Sequence, residues 1–181
     1  MSELARIPSA PGVRELGVVN WVLCWIAAKV WRVPRIHLFT TLGQRKPLLW
    51  AWMPIGGLLL HSRKLPRRDT ELVILRVGHR RQSEYELQQH RRLALRRGVD
   101  TATQAKIFEG PAAEGLTDRQ RTMLTATDEL IDGRNLSDDA WASLSRHLNH
   151  PQLIHFVTLV TQYDALAAWL STLRVPLDFP E

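Results

Sequence analysis

Leu65-Pro-Arg-Arg-Asp-Thr-Glu-Leu-Val-Ile-Leu-Arg-Val-Gly-His-Arg-Arg-Gln-Ser-Glu-Tyr-Glu-Leu-Gln-Gln-His-Arg-Arg-Leu-Ala-Leu-Arg-Arg-Gly98 is the stretch of this chain whose reading decides the fold. Leu65-Pro66 opens a helix that runs to about Arg81, because proline is pre-organised for a first helical turn. Ser83 opens a second helix to Arg97, and Gly98 stands where a helix C′ residue belongs. The turn between them is only a few residues long, so the two helices are antiparallel neighbours. At about 100° per residue, Glu71 shares an arc with Ile74, Leu75 and Gly78, opposite Asp69, Arg76 and Arg80. On the second helix Ser83, Glu86 and His90 fall within about 80° of one another, on the arc of Leu87, Leu93 and Ala94. Glu84, Gln88, Arg91, Arg92 and Arg96 take the outer side. Polar groups inside an apolar stripe must find partners or cost roughly 1–3 kcal/mol each, so such conflicts mark functional or specially satisfied positions.

Outward from this pair the chain keeps helical spacing. Residues 1–12 carry Pro8, Pro11 and Gly12 and read as a flexible N-terminal arm. From Val13 the residues Leu16, Val19, Leu23, Ile26, Ala27 and Val30 form a stripe, and this helix stops before Pro34. Ile36–Leu42 and Leu48–Leu60 follow, with Pro47 at the start of the latter. Thr101–Phe108 ends at Gly110-Pro111. Thr117-Asp-Arg-Gln120 is a capping-box pattern leading into Met123–Asp132, and Ser137 can cap Asp138–His147. Pro151 starts a long apolar helix ending near Leu173. No stretch alternates with period two long enough for a strand, so the expected fold is all-α, a single helical domain over 13–181.

Composition narrows the function classes. Hydrophobic residues make up 45% and charged residues 23%, which argues for a folded chain. Lys plus Arg outnumber Asp plus Glu by 24 to 18, giving +6. The excess concentrates between Ser62 and Gly98, with eleven basic against four acidic residues. A charge run of this kind is usually a solvated face, and without a zinc-finger, RRM or KH signature no nucleic-acid partner is expected. The single cysteine, Cys24, excludes an internal disulfide and fits a reducing, cytoplasmic setting. The apolar runs Val18–Val30 and Pro47–Leu60 fall short of the roughly 20 residues a bilayer needs, so no integral membrane segment is expected. Seven tryptophans, five of them before Met53, supply more apolar surface than one small core requires. That leaves a peripheral membrane or a subunit contact for the N-terminal third; the subunit contact is favoured and predicts a homo-oligomer with contacts in Val13–Leu60.

Each polar residue of the inner arcs has a structural reading. Ser83-Glu-Tyr-Glu86 matches the S-x-x-E capping box, His90 could be a satisfied core histidine, and Glu71 could pair with Arg67 or another arginine. The combination supports a functional reading, since a carboxylate beside an imidazole composes a general acid/base pair. His79 and His147 lie at the periphery, and His155 sits on an apolar arc with Leu159 and Leu166.

The run Leu65-Pro-x-x-x-x-Glu71, then Ser83-x-x-Glu86-x-x-x-His90 and an alanine-containing turn closing at Gly98, resembles the carboxymuconolactone decarboxylase-like family. That family includes the alkylhydroperoxidase D-like proteins. In its peroxidase branch a Glu precedes a C-x-x-C pair, and a His follows the second Cys by four residues. Glu71 and His90 match the Glu and His positions, whereas Ser83 and Glu86 replace both cysteines. The resemblance implies an all-α fold that assembles into trimers, hexamers or related oligomers, with the site near a subunit boundary. A hydroxyl cannot form a disulfide or a sulfenic acid, so dithiol peroxidase activity is not expected. Decarboxylase members lack the cysteine pair and use acid/base chemistry, without metal or organic cofactor, on a lactone carrying carboxylates. By that resemblance the catalytic set is Glu71, His90, Glu86 and Ser83. Glu71 or Glu86 would orient His90, His90 would shuttle a proton beside a carbonyl, and arginines would hold a small anionic substrate; periodicity does not single out which, though Arg67 and Arg97 lie nearer the inner arc than Arg91, Arg92 and Arg96. A non-catalytic ligand-binding or scaffold member is the alternative, and an alkylhydroperoxidase-like peroxidase is third.

Overall fold

The computed structural model describes residues 5–10 and 12–179. Its described residues form helices and no strands. The chain divides into two compact units, residues 1–58 with 169–181 and residues 59–168.

The first unit holds α1 (Val13–Leu16), α2 (Val18–Trp31), α3 (His37–Leu42) and most of α4 (Lys46–His61). The single helix expected from Val13 is split by Gly17, whose φ of +75° a helix cannot accommodate. The described part of the expected N-terminal arm is tied down. The Arg6 amide donates to the Leu173 carbonyl, Ser9 Oγ lies 2.7 Å from His37 Nδ1, and Ala10 is buried. Asp178 accepts from the His37 amide at 2.8 Å, which fixes the entry to α3. Pro54 lies inside α4, two turns past the start and within the helix expected over Leu48–Leu60.

The second unit is built round α5 (Arg67–Arg80), which packs against α6 (Glu84–Arg96), α7 (Thr101–Glu109) and α8 (Asp118–Gly133). Every residue from Thr70 to Gly78 is buried. Arg76, expected on an outer face, is therefore a core residue. Its guanidinium forks onto the Asp128 carboxylate at 2.7 Å on both oxygens, and its remaining nitrogen donates to the Ile107 and Phe108 carbonyls at 2.9 Å. Periodicity alone could not foresee that α7 and α8 would cover that side. Gly110, at φ +118°, lets the chain pass this guanidinium, since a Cβ there would lie 2.9 Å from Arg76 Nη2.

Two helix starts follow the sequence reading. Thr117 and Gln120 form a complete capping box on α8, and Ser137 accepts from the Ala140 amide at the start of α9 (Asp138–Ser145). Gly98 closes α6 at φ +80°, with the Val99 amide returning to the Ala94 carbonyl at 2.9 Å.

The last helix, α10 (His150–Leu173), is the one described helix long and apolar enough to cross a membrane by length and composition, and half of its most apolar window is buried. It lies outside the apolar runs Val18–Val30 and Pro47–Leu60. Within the second unit α10 is a core element, burying Leu153, Phe156, Leu159, Val160 and Leu166. It also carries Asp164, which is ion-paired to Arg81.

Candidate active site

The turn between α5 and α6 sets the site. Gln82 takes a left-handed conformation at φ +53°, and the Ser83 amide donates to the Gly78 carbonyl at 2.8 Å. This closes α5 and turns α6 back antiparallel beside it. Glu71, near the start of α5, consequently lies opposite the last turns of α6.

There it meets two partners. His90 Nδ1 lies 2.9 Å from one Glu71 oxygen, and Arg97 Nη1 donates to the other at 2.6 Å. Glu71 is fully buried, while the His90 and Arg97 side chains are 7% and 8% exposed. A buried carboxylate needs this compensation, since a lone ion in the interior carries a desolvation cost of several kcal/mol. With Glu71 ionised, a neutral His90 must carry its proton on Nδ1, which leaves the Nε2 lone pair for other work. The partner arginine is Arg97, at the C-terminal end of α6 where a cation also suits the helix dipole, and not Arg67, which is exposed. Arg97 is thus engaged with Glu71.

Ser83 and Glu86 are also buried, at 5% and 2% exposure, but they do not form the capping box. Ser83 is the N-cap of α6 without a side-chain cap bond, at φ −86° and ψ 87°. Thr117 and Ser137, which do cap, sit at ψ 157° and 159°. The Ser83 amide, which a capping-box glutamate would accept from, is already given to Gly78. Ser83 Oγ and both Glu86 oxygens have no hydrogen-bond partner among the described residues. Burial pushes the Glu86 carboxyl up to about 8; the Ser83 hydroxyl beside it pulls the other way without reaching hydrogen-bond geometry, and Asp164 adds a smaller upward push. At neutral pH Glu86 is therefore largely a neutral acid. Glu86 does not orient His90; Glu71 has that place.

Tyr163 of α10 completes the cluster. Its ring meets His90 edge-on, centroids 5.2 Å apart. Burial first, then the Glu71 and Glu86 carboxyls, hold its phenol well above the usual range, so it stays protonated. The sequence reading passed over Tyr163 as part of an apolar helix. Asp164, the one charged residue in the body of that helix, was the available signal.

The other titratable groups fall where the sequence put them or are inert. His155 is buried with its pKa lowered by burial, and His79 stacks on Phe108 at 5.0 Å. Cys24 belongs to the first unit, and burial pushes its thiol up to about 11, which opposes thiolate chemistry. Among the described residues no three His, Cys, Asp or Glu side chains group as metal ligands.

Comparisons with known proteins bear on the fold that carries this cluster. Residues 46–129 match the model of the Carboxymuconolactone decarboxylase family. No curated protein matches the chain. Among solved structures, an alkylhydroperoxidase AhpD core, a peroxidase-related protein of Ralstonia eutropha JMP134, superposes with a TM-score of 0.81 at 14% identity, covering 98% of this chain and 94% of that one. A peroxidase-related protein of Silicibacter sp. TM1040 gives 0.80 at 15% identity, covering 96% and 92%. The debrominase Bmp8, as a cysteine-to-alanine variant in complex with 2,3,4-tribromopyrrole, gives 0.76 at 12% identity, covering 94% and 91%. The fold is that of the alkylhydroperoxidase D-like proteins, and residues 46–129, a little under half of the chain, are similar to the carboxymuconolactone decarboxylase family.

Proposed function

We propose that the chain is a cofactor-independent enzyme of the carboxymuconolactone decarboxylase type, moving a proton on a small carboxylated substrate. The observation that carries this reading is the buried hydrogen bond of His90 Nδ1 to Glu71 at 2.9 Å. Glu71 fixes the ring and its tautomer, Arg97 pairs with the other Glu71 oxygen, and Nε2 becomes the base that takes a proton from carbon beside a carbonyl. A thiol peroxidase is disfavoured because the family's cysteine positions hold Ser83 and Glu86, and because the remaining thiol, Cys24, resists ionisation.

The test is turnover of small carboxylated lactones and 1,3-dicarbonyl compounds, followed by absorbance. Loss of a general base removes roughly 10²–10⁴-fold in rate, so His90→Gln and Glu71→Gln should both fall by that order. Activity that survives both substitutions overturns the reading, as does hydroperoxide turnover that disappears in Cys24→Ser. A cytoplasmic homo-oligomer belongs to the same proposal. Val18, Val19, Trp25, Ile26 and Val30 of α2 are all exposed, and contiguous apolar surface of this kind marks an interface. Light scattering that reports only the 20.7 kDa monomer at micromolar concentration would remove the oligomer from the proposal.

A further inference from the structure

The cluster contains two buried polar groups that the proton-transfer pair leaves unused. Ser83 Oγ and both Glu86 oxygens lack partners among the described residues although their side chains are almost wholly enclosed. An unsatisfied buried polar group costs about 1–3 kcal/mol, so this arrangement persists only where something else recovers the loss. Glu86 and His90 stand four residues apart on α6, one turn and one face. Tyr163 lies against His90 and feels the Glu71 and Glu86 carboxyls together, so these groups form one buried cluster.

The groups facing Glu86 come from three helices. On α6 they are Ser83 and His90. On α5, Gly78 brings bare backbone close, because a Cβ there would stand 3.5 Å from Glu86 Cβ. On α10 they are the protonated Tyr163 phenol and Asp164, the latter held by Arg81. Among the described residues no cation is bonded to Glu86, so its acid form is the one this surrounding favours. That form has an O–H to donate, and neither Glu86 oxygen has a hydrogen-bond partner among the described residues.

Building on the proton-transfer reading, we propose that Ser83 and Glu86 form the subsite for a carbonyl oxygen of the substrate, with the Glu86 carboxylic acid as the donor. The substrate class is then a lactone, ketone or 1,3-dicarbonyl with an acidic C–H beside the carbonyl. His90 Nε2 takes the proton as the C–H bond breaks. The bond's electrons form the C=C of the enol, and the carbonyl π electrons move to oxygen, which takes the Glu86 proton. Enol, imidazolium and Glu86 carboxylate result. Return of the proton from His90 to carbon, and of the enol proton to Glu86, restores both groups with no oxidant or reductant. Replacing two thiols by an alcohol and a neutral acid thus exchanges a redox pair for a hydrogen-bonding cradle.

Two readouts on the full chain test this, with acetylacetone and α-angelica lactone as probes. Infrared difference spectra of wild type against Glu86→Gln at pH 7 should show a carboxylic-acid C=O band belonging to Glu86, and the band should shift when a probe is added. No such band, or a band that neither probe moves, overturns the subsite. In D₂O, exchange at the probe's acidic carbon should fall about 10²-fold in Glu86→Leu. In Glu86→Gln it should be slower and should lose the wild-type decline above about pH 8. Exchange abolished in His90→Gln yet unaltered, with its alkaline decline, in both Glu86 variants defeats this subsite alone. Exchange unaltered in His90→Gln defeats the proton-transfer reading on which it rests.

Discussion

Two helices of the second unit begin with the same local signature and use it in opposite ways. At α8, Thr117 accepts from the Gln120 amide and Gln120 reaches back to the Thr117 amide at 2.9 Å, so both side chains are spent on the backbone. At α6, Ser83 and Glu86 occupy the same positions and make neither bond. The difference begins one turn upstream. Thr117 enters α8 from a loop with its amide unclaimed by a preceding helix, whereas the Ser83 amide closes α5 through Gly78 and its ψ turns Oγ away from the α6 amides. A capping signature is thus a statement about what the preceding turn leaves over. Where a tight helical hairpin consumes the N-cap amide, the same two side chains are released into the interior.

The largest expected effect concerns the other end of α6, where a side chain is fully used. Arg97→Met would leave the Glu71 carboxylate, fully buried, without its cation. Breaking such a pair costs about 3–5 kcal/mol. Urea denaturation should show a loss of this size, and a change within ~1 kcal/mol would mean that Glu71 takes a proton instead.

Glu86→Gln comes next, and its effect depends on pH. Below the ordinary value of 4.5 both folded and unfolded chains hold the proton, and Glu86 costs nothing. Between 4.5 and about 8 the folded state keeps a proton that the unfolded chain has released, so wild-type stability falls as pH rises. The slope is at most ~1.4 kcal/mol per pH unit. Glutamine has no proton to keep. The variant should therefore gain on wild type from pH 5 to 8 and gain no more above that. A gain that shrinks with rising pH would show a Glu86 carboxylate stabilised by partners.

The caps themselves supply the smaller contrasts. Thr117→Ala removes a working cap and should cost about 1 kcal/mol. Ser83→Ala removes a buried hydroxyl without a bond and should cost nothing, with a gain of up to about 1–3 kcal/mol. Equal costs in the two variants would restore the capping-box reading of Ser83.

The same contrast explains what could be read in advance. The inner placement of Glu71, Glu86 and His90 and the closure at Gly98 follow from helical periodicity and from a glycine at a left-handed position, both local properties. The burial of Arg76 does not, because the face opposite the apolar stripe is covered by α7 and α8, which lie more than 25 residues further on in the case of Ile107 and Asp128. Choosing Arg97 over Arg67 as the Glu71 partner required the antiparallel register of α5 and α6, which the turn at Gln82 sets. Tyr163 was hidden for a similar reason. A tyrosine in an apolar helix reads as core until the helix is seen to pass His90.

The central claim, that Glu71 holds His90 so that Nε2 faces the chemistry, is tested most directly by the ring's own nitrogens. With His90 assigned through His90→Gln, ¹⁵N NMR of the neutral imidazole should show the proton on Nδ1 and Nε2 bare, as donation to an ionised Glu71 requires. A neutral ring with its proton on Nε2 would make Nδ1 an acceptor from a protonated Glu71, remove the base from the site, and contradict the account.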